Sequence, residues 1–413
     1  MNKERKIKPI ADCCDILDNL RVPVNDEVRQ TRQGNIPYYG ANGIQGFIDD
    51  YIFDEDLILL AEDGGNFEEY NTRPIAYKIS GKSWVNNHAH ILRAKLDFNQ
   101  DYIFYSLVHK DITKYLNSGT RSKLNKSELQ KIEIEFPSTK PEEDKIAKIL
   151  STADAVIEKN QAAIAKYKAI KQGMLQDLFT RGIDTTTNQL RPPYQDAPHL
   201  YKESKLGMIP KEWDEKSIEA IGDIVTGSTP PTARTEYYGD EFLFVSPADI
   251  QDNFFIHETG KKLTQSGFDV TRKLPKNSIC VVCIGSTIGK MALLAKEGCT
   301  NQQINSVICF DPELPFYFFY AMMLYNEPQF RRETGLQAVP IVNKSQFSEF
   351  LLPVAGKTEA LKISERLKAI DNKLQTEQTY LQKIQLLKKG LMEDLLSGKK
   401  MVKVEELITQ NEN

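Results

Sequence analysis

Two long segments of the chain, roughly 142–179 and 359–396, place apolar residues on a seven-residue repeat. In the first, Ile146, Ala153, Asn160, Tyr167 and Met174 recur at that interval, beside Ile149/Leu150, Val156/Ile157, Ala163/Ile164, Ile170 and Leu178. In the second, Ile363, Ile370, Glu377, Ile384 and Leu391 recur, flanked by Leu367, Leu374, Leu381, Leu387 and Leu395. A stripe of this spacing, sustained over about five heptads, predicts two coiled-coil helices. Each would extend about 57 Å at 1.5 Å per residue. A helix that long with one apolar stripe needs a partner. The economical partner is the other copy; the alternatives are its own domain or a second molecule. Asn160 and Glu377 put a polar residue at the same seam position, which weakens packing but fixes alignment.

The two segments lie 217 residues apart, or 31 × 7, so they share a register. The repeat extends beyond them. "GMLQDLFTR" (173–181) answers "GLMEDLLSG" (390–398), and "LNKSELQKIEIEFP" (124–137) answers "VNKSQFSEFLLP" (342–353). "WVNNHAHIL" (84–92) more loosely parallels "CTNQQINSVI" (299–308). A period this long is outside the solenoid range and predicts a duplicated domain plus helix. Within the domains, "DLILLAE" (56–62) and "NSICVVCIG" (277–285) read as buried strands, and 102–116 and 316–326 as helices. "YYGANG" (38–43) and "TGSTPPT" (226–232) are turn signals. The expected fold is α+β, with two similar globular domains separated by two long antiparallel helices in a pseudo-two-fold arrangement. The expected boundaries are 1–139 for the first domain, 140–181 for the first helix and 182–205 for a surface linker running back along it. Residues 206–355 form the second domain, 356–398 the second helix and 399–413 a tail.

Composition narrows the class. Of 413 residues, 40% are hydrophobic and 27% charged, as in a folded soluble protein. The N-terminus lacks the apolar stretch of a signal peptide, and the apolar run 314–325 is too short to span a bilayer. With six cysteines and no secretion signal, reduced thiols in a cytoplasm are expected. The net charge of −4 argues mildly against a polyanionic partner, but its distribution is uneven. Residues 47–70 hold nine Asp/Glu and no Lys/Arg, whereas 119–131 hold four Lys/Arg and one Glu. If the partner is a polyanion, the first stretch is expected to face away and the second to face it.

Catalytic motifs are incomplete. "GSTIGKM" (285–291) has one residue too few between its glycines for a phosphate-binding loop, and Met291 stands where Ser or Thr would hold Mg²⁺. "RPPY" (191–194) has arginine where an amino-methyltransferase motif needs an acceptor. Cys280 and Cys283, three apart on a strand, point to opposite faces, which is wrong for chelation. His88 and His90 would share a strand face, most simply as a hydrogen-bonded surface pair. Acidic residues at 142–144 suit a helix start. No nucleophile, base or metal cluster emerges, so the chain is not expected to be an enzyme by itself.

These residues resemble a known family. "IPYYGANGIQGFIDDYIFDEDLILLAEDGGNF" (36–67), "ELQKIEIEFPSTKPEEDKIAKILSTADAVI" (128–157), "SKLGMIPKEW" (204–213), "NSICVVCIGSTIGKMALLAKEGCTNQQIN" (277–305) and the two helix ends are similar to the specificity subunit of type I restriction–modification enzymes. The resemblance implies two target recognition domains held apart by antiparallel helices, reading a bipartite, asymmetric target in double-stranded DNA. It implies two modification (methyltransferase) subunits as partners and, through them, restriction subunits. S-adenosylmethionine, ATP and Mg²⁺ would then belong to the partners. The alternatives are a coiled-coil scaffold that binds no DNA, and a recognition partner of a fused nuclease–methylase. Base and phosphate chemistry nominates Tyr38, Asn42, Asn86, Asn87, His88, Arg121, Lys123 and Lys126 in the first domain. In the second it nominates Ser228, Thr229, Arg234, Lys290, Asn301, Gln302, Asn305 and Lys344.

Overall fold

A computed structural model describes residues 5–117, 122–251, 254–311, 315–333 and 340–404. The chain divides into two compact units, 1–160 with 380–413, and 161–379. Both are mixed α and β, and they share the topology of the central sheet and one parallel strand pair.

In the first unit Lys6–Pro9 pairs antiparallel with Glu133–Phe136. This brings the domain's beginning to its end, just ahead of a long helix. The central sheet runs Cys14–Ile16, Ala89–Ala94, Leu57–Ala61, Ala76–Ile79, with every pair antiparallel. A second sheet runs Gly43–Ile48, Ile36–Gly40, Lys82–Val85, Phe53–Asp54, with Tyr38 opposite Trp84 in a parallel pair. The second unit repeats this. Asp214–Ser217 pairs with Leu351–Val354. Its central sheet runs Gly222–Thr226, Ile304–Cys309, Ile279–Val282, Met291–Leu294, with Phe255–Ile256 added at the edge. Its other sheet again contains one parallel pair, Phe242–Val245 with Gly298–Thr300. The loose likeness of 84–92 to 299–308 is therefore a true equivalence of strand, turn and strand.

Leu57–Ala61 and Ile279–Val282 are buried at every position, because both faces of these central strands are covered. One helix packs on each central sheet. Gln100–Leu107 starts where Asn99 accepts a bond from Tyr102 N, at 3.1 Å, and ends short of the expected 116; a separate 3₁₀ turn follows at Thr113–Tyr115. Phe316–Tyr325 is apolar all round and correspondingly buried from Tyr317 to Met323. The two "NKS" motifs are helix starts. Asn343 accepts from Gln346 N at 2.9 Å while Gln346 Oε1 accepts from Asn343 N at 3.1 Å, forming a capping box.

The long helices are Lys140–Thr180 and Lys357–Leu396. Within each unit their segments run antiparallel. In the first, Ile146, Leu150 and Leu395 share one core, and Asp154 meets Lys388. In the second, Leu178, Phe179, Ile363 and Leu367 share one core, and Lys171 meets Asp371. All ten seam positions are buried or half-buried, with Ile146, Asn160, Ile363 and Ile384 at 9% exposure or less. Ile170 and Leu387 break the expectation, being 40% and 61% exposed. They are equivalent positions. At that level the inward place goes to the next residue, Lys171 or Lys388, which reaches a carboxylate on the other helix.

Residues 182–205 are not a plain linker. They contain the hairpin Ile183–Asp184/Gln189–Leu190 and the strand Tyr201–Ser204, paired with Gly207–Pro210. Arg191 is 8% exposed and forms a two-toothed pair with Glu359, at 2.5 and 3.0 Å. Glu359 also accepts from Ile183 N at 2.6 Å. The Pro/Thr-rich composition signalled exposure, but one buried ion pair anchors the segment to the start of the second long helix.

Candidate nucleic-acid interface

In each unit three backbone segments meet at one edge: the turn between the parallel-paired strand and the central strand, the loop after the buried central strand, and the residues leading into the "NKS" helix. In the first unit Asn86 N donates to Tyr39 O at 2.9 Å, Glu62 N to His88 O at 2.8 Å, and Leu124 N to Glu62 O at 2.8 Å. In the second Asn301 N donates to Val245 O at 2.9 Å, Cys283 N to Gln303 O at 2.8 Å, and Val342 N to Cys283 O at 2.9 Å. The turn itself is set by an asparagine side chain. Asn86 Oδ1 accepts from His88 N at 2.8 Å, and Asn301 Oδ1 from Gln303 N at 3.1 Å. Gly64 and Gly285 hold positive φ of 65° and 100° in the equivalent loops. Gly227 closes the second cluster: a methyl group there would lie 2.0 Å from Asn301 O.

The nominated residues sort by this geometry. Tyr38 is 2% exposed and its hydroxyl donates to Val24 O at 3.0 Å, so its side chain belongs to the core. Asn86 and Asn305 are each 4% exposed and internally bonded: Asn86 Nδ2 donates to Gln45 Oε1 at 2.9 Å, and Asn305 Oδ1 accepts from Thr226 Oγ1 at 2.7 Å. They shape the site from beneath. Asn87 is exposed, and His88 is half-buried with Nδ1 2.7 Å from Asp63 Oδ1. Asn42 is exposed and donates to Gly64 O at 2.8 Å. Asn25, Arg29, Gln45, Asn87 and His88 line a cleft of about 470 Å³, with Tyr38 in its wall. Lys126 is exposed; Arg121 lies outside the described residues.

In the second unit Thr229 Oγ1 donates to Gln302 Oε1 at 2.5 Å and both are exposed. Ser228 Oγ accepts from Arg272 N at 3.2 Å, and Asn301 Nδ2 donates to Gln303 Oε1 at 3.0 Å. Lys290, Lys344 and Arg234 are exposed, Arg234 lying over the Tyr237 ring at 5.6 Å.

Glu62 and Asp63, at the end of the acidic stretch, lie in the loop cluster itself and are paired there. Glu62 holds Arg21 at 2.6 Å and Lys123 at 3.0 Å, and Asp63 holds His88. His90, expected at the surface beside His88, is 1% exposed, with Nδ1 2.6 Å from Asp18 Oδ2 and Nε2 2.8 Å from Leu124 O. Burial opposes ionisation of Asp18, but the His90 bond, Ile91 N–H and Arg21 together hold its carboxyl below the usual range. Burial likewise opposes ionisation of Glu62, and Arg21, Lys123 and His90 outweigh it. Asp18, Glu62 and His90 bring ligand-type atoms within 4.8 Å of one another. The countercharge in that cluster is supplied by the Arg21 guanidinium and Lys123. Cys280 and Cys283 are both buried and enter different cores, so they face apart as the spacing predicts.

The arrangement can present amide and basic side chains from a rigid, internally bonded edge, the chemistry of base and phosphate recognition. Residues missed in sequence include Gln45, Arg21, Glu62, Asp18 and Arg272. Only their tertiary neighbours give them meaning.

The chain is 35% identical over 150 residues to a type I restriction enzyme specificity subunit sequence of Haemophilus influenzae, S.HindORF215P, over 36% of this chain and 37% of that one. The chain thus spans little more than a third of that relative's length. It is 25% identical over 373 residues to the type I restriction enzyme MjaVIII specificity subunit of Methanocaldococcus jannaschii, covering 85% of this chain and 81% of the relative. Its fold is like that of the type I restriction–modification S subunit from M. genitalium, with a TM-score of 0.69, 15% identity, and 95% and 96% of the two chains covered. The family model for the type I restriction modification DNA specificity domain matches residues 2–167 and 210–386. The chain therefore belongs to that family and carries its domain twice.

Proposed function

We propose that this chain is the sequence-recognition subunit of a type I restriction–modification complex. It reads a bipartite, asymmetric site in double-stranded DNA, one part per domain. One observation carries this reading. The two units build the same three-segment edge with the same main-chain bonds, yet arm it differently, with Asn87 and His88 in one and Gln302 and Gln303 in the other. One scaffold with two sets of readers suits a target whose halves differ.

Catalysis then belongs to partners: two modification subunits, which bind S-adenosylmethionine, and restriction subunits, which use ATP and Mg²⁺. The complex works in the cytoplasm. Among the described residues no helix is long and apolar enough to cross a membrane, which is compatible with that placement. The acidic balance of the chain fits DNA affinity that depends on the assembled complex.

The test is binding of the assembled complex to a duplex carrying its mapped methylation site, titrated with salt and with competitor DNA. We expect affinity to fall steeply with ionic strength, as counterion release requires. Affinity indifferent to salt and to competitor DNA would instead identify a protein scaffold.

A further inference from the structure

One side-chain constellation occurs twice, outside the loop clusters. In the first unit Tyr105, on the domain helix Gln100–Leu107, donates its hydroxyl to Asp154 Oδ2 at 2.6 Å. Asp154 is on the long helix that follows this domain, and its Oδ1 accepts from Lys388 Nζ, on the other long helix, at 2.5 Å. In the second unit Tyr317, on Phe316–Tyr325, donates to Asp371 Oδ2, and Asp371 Oδ1 pairs with Lys171 Nζ at 2.7 Å. Again the aspartate is on the helix following the domain and the lysine on the other. The aspartates are 217 residues apart (371 − 154), and so are the lysines (388 − 171). The tyrosines sit 49 and 54 residues before their aspartates, so the triad is kept although the domains differ in length between these points. The apolar pairs Leu150/Leu367 and Leu178/Leu395 are kept at the same offset, whereas the polar seam position is not: Asn160 answers to Glu377.

The geometry makes one carboxylate a junction of three elements. Tyr105 and Tyr317 are at most 1% exposed, and Asp371 is 3% exposed. Burial first, and the neighbouring aspartate next, push both phenols well above the ordinary tyrosine range, so each keeps its proton as a donor. Apolar contacts between a domain helix and a helix pair are non-directional and tolerate sliding. A carboxylate with each oxygen held by a donor from a different element does not tolerate it, because a shift leaves the charge short of partners, at greatest cost for the buried Asp371 and less for the half-buried Asp154.

Resting on the function proposed above, we propose that Tyr105–Asp154–Lys388 and Tyr317–Asp371–Lys171 are positioning triads. They fix where each recognition domain stands on the helix pair and so set the spacer length accepted between the two half-sites. They touch no base. They act through the placement of the loops that do.

The test uses the whole complex in a host without a competing system, with methylated sites mapped for the parent, Tyr317→Phe, Lys171→Met, Lys171→Arg and Asp371→Asn. We expect the bases of both half-sites to be unchanged in every variant. In Tyr317→Phe and Lys171→Met, methylation at sites whose spacer is one base pair too long or too short should rise about tenfold relative to the correct spacer, as loss of a charge-assisted bond implies. Lys171→Arg keeps the charge and should keep the parental strictness. A uniform loss of methylation at all spacers, with strictness unchanged, would mean that the triad serves stability alone and would overturn the proposal. If Asp371→Asn fails to assemble, Tyr317→Phe decides, since it removes one oxygen. A parent that methylates no bipartite site would overturn the functional reading itself, a separate outcome.

Discussion

The nominated polar residues divide by whether their side chains are already spoken for. Asn86 and Asn305 are buried and bonded, and Tyr38 is a core residue, so substituting them should damage the fold before it changes the sequence read. Asn87 and Gln302 are exposed on a rigid turn. We expect Asn87→Ala to relax one base position in one half-site by about tenfold or more, seen by methylation mapping. Lys344→Ala should weaken binding for all sequences alike and lower the salt slope by about one, measured by titration of the complex. The Glu62 and Asp18 carboxylates are both held low, so their stabilisation is fully present above their ordinary values of 4.5 and 3.8. It is lost as pH falls through the depressed folded-state values. Glu62→Gln should therefore flatten the acid side of the melting curve below about pH 5, read as Tm against pH. An unchanged slope would show that this cluster does not govern acid stability.

At the scale of elements, the ends of the long helices are parts of the domain cores. Ile363 and Leu367 are fully buried within the second unit's core. Ile363→Ala should cost about 2–5 kcal/mol in chemical denaturation, through lost transfer energy and a cavity that tight packing cannot close. The Arg191–Glu359 pair is a different kind of anchor. Arg191→Met should cost about 3–5 kcal/mol, because it leaves the buried Glu359 carboxylate with Ile183 N–H but without its cation. Both experiments separate anchoring from recognition, since neither residue lies in the loop clusters.

For the molecule as a whole, the chain carries the family's domain twice, and in the function proposed above each copy reads one half of the target. The main-chain bonds of the recognition edge are shared by both units, whereas the exposed residues on it are not. Exchanging residues 206–355 for the second domain of another family member should therefore change one half of the methylated sequence and leave the other intact. Change in both halves, or in neither, would contradict independent reading by two domains. Single-molecule methylation mapping distinguishes these outcomes.

Periodicity and repetition were enough to establish the two long helices, their common register, the duplicated α+β domains and the family resemblance. These are properties of spacing, and spacing is written along the chain. The "NKS" helix starts and the buried strands were legible for the same reason, because caps and continuous apolar runs act locally. What only the tertiary structure decided is which polar residues face outward. Asn86 and Asn87 are adjacent and chemically identical, yet one is buried under Gln45 and the other exposed. Ile170 was displaced from the seam by Lys171 because a carboxylate 200 residues later in the chain lay within reach. Residues 182–205 were tied down by Arg191 finding Glu359. Each of these outcomes depends on a partner distant in sequence, and a local pattern carries no record of such a partner.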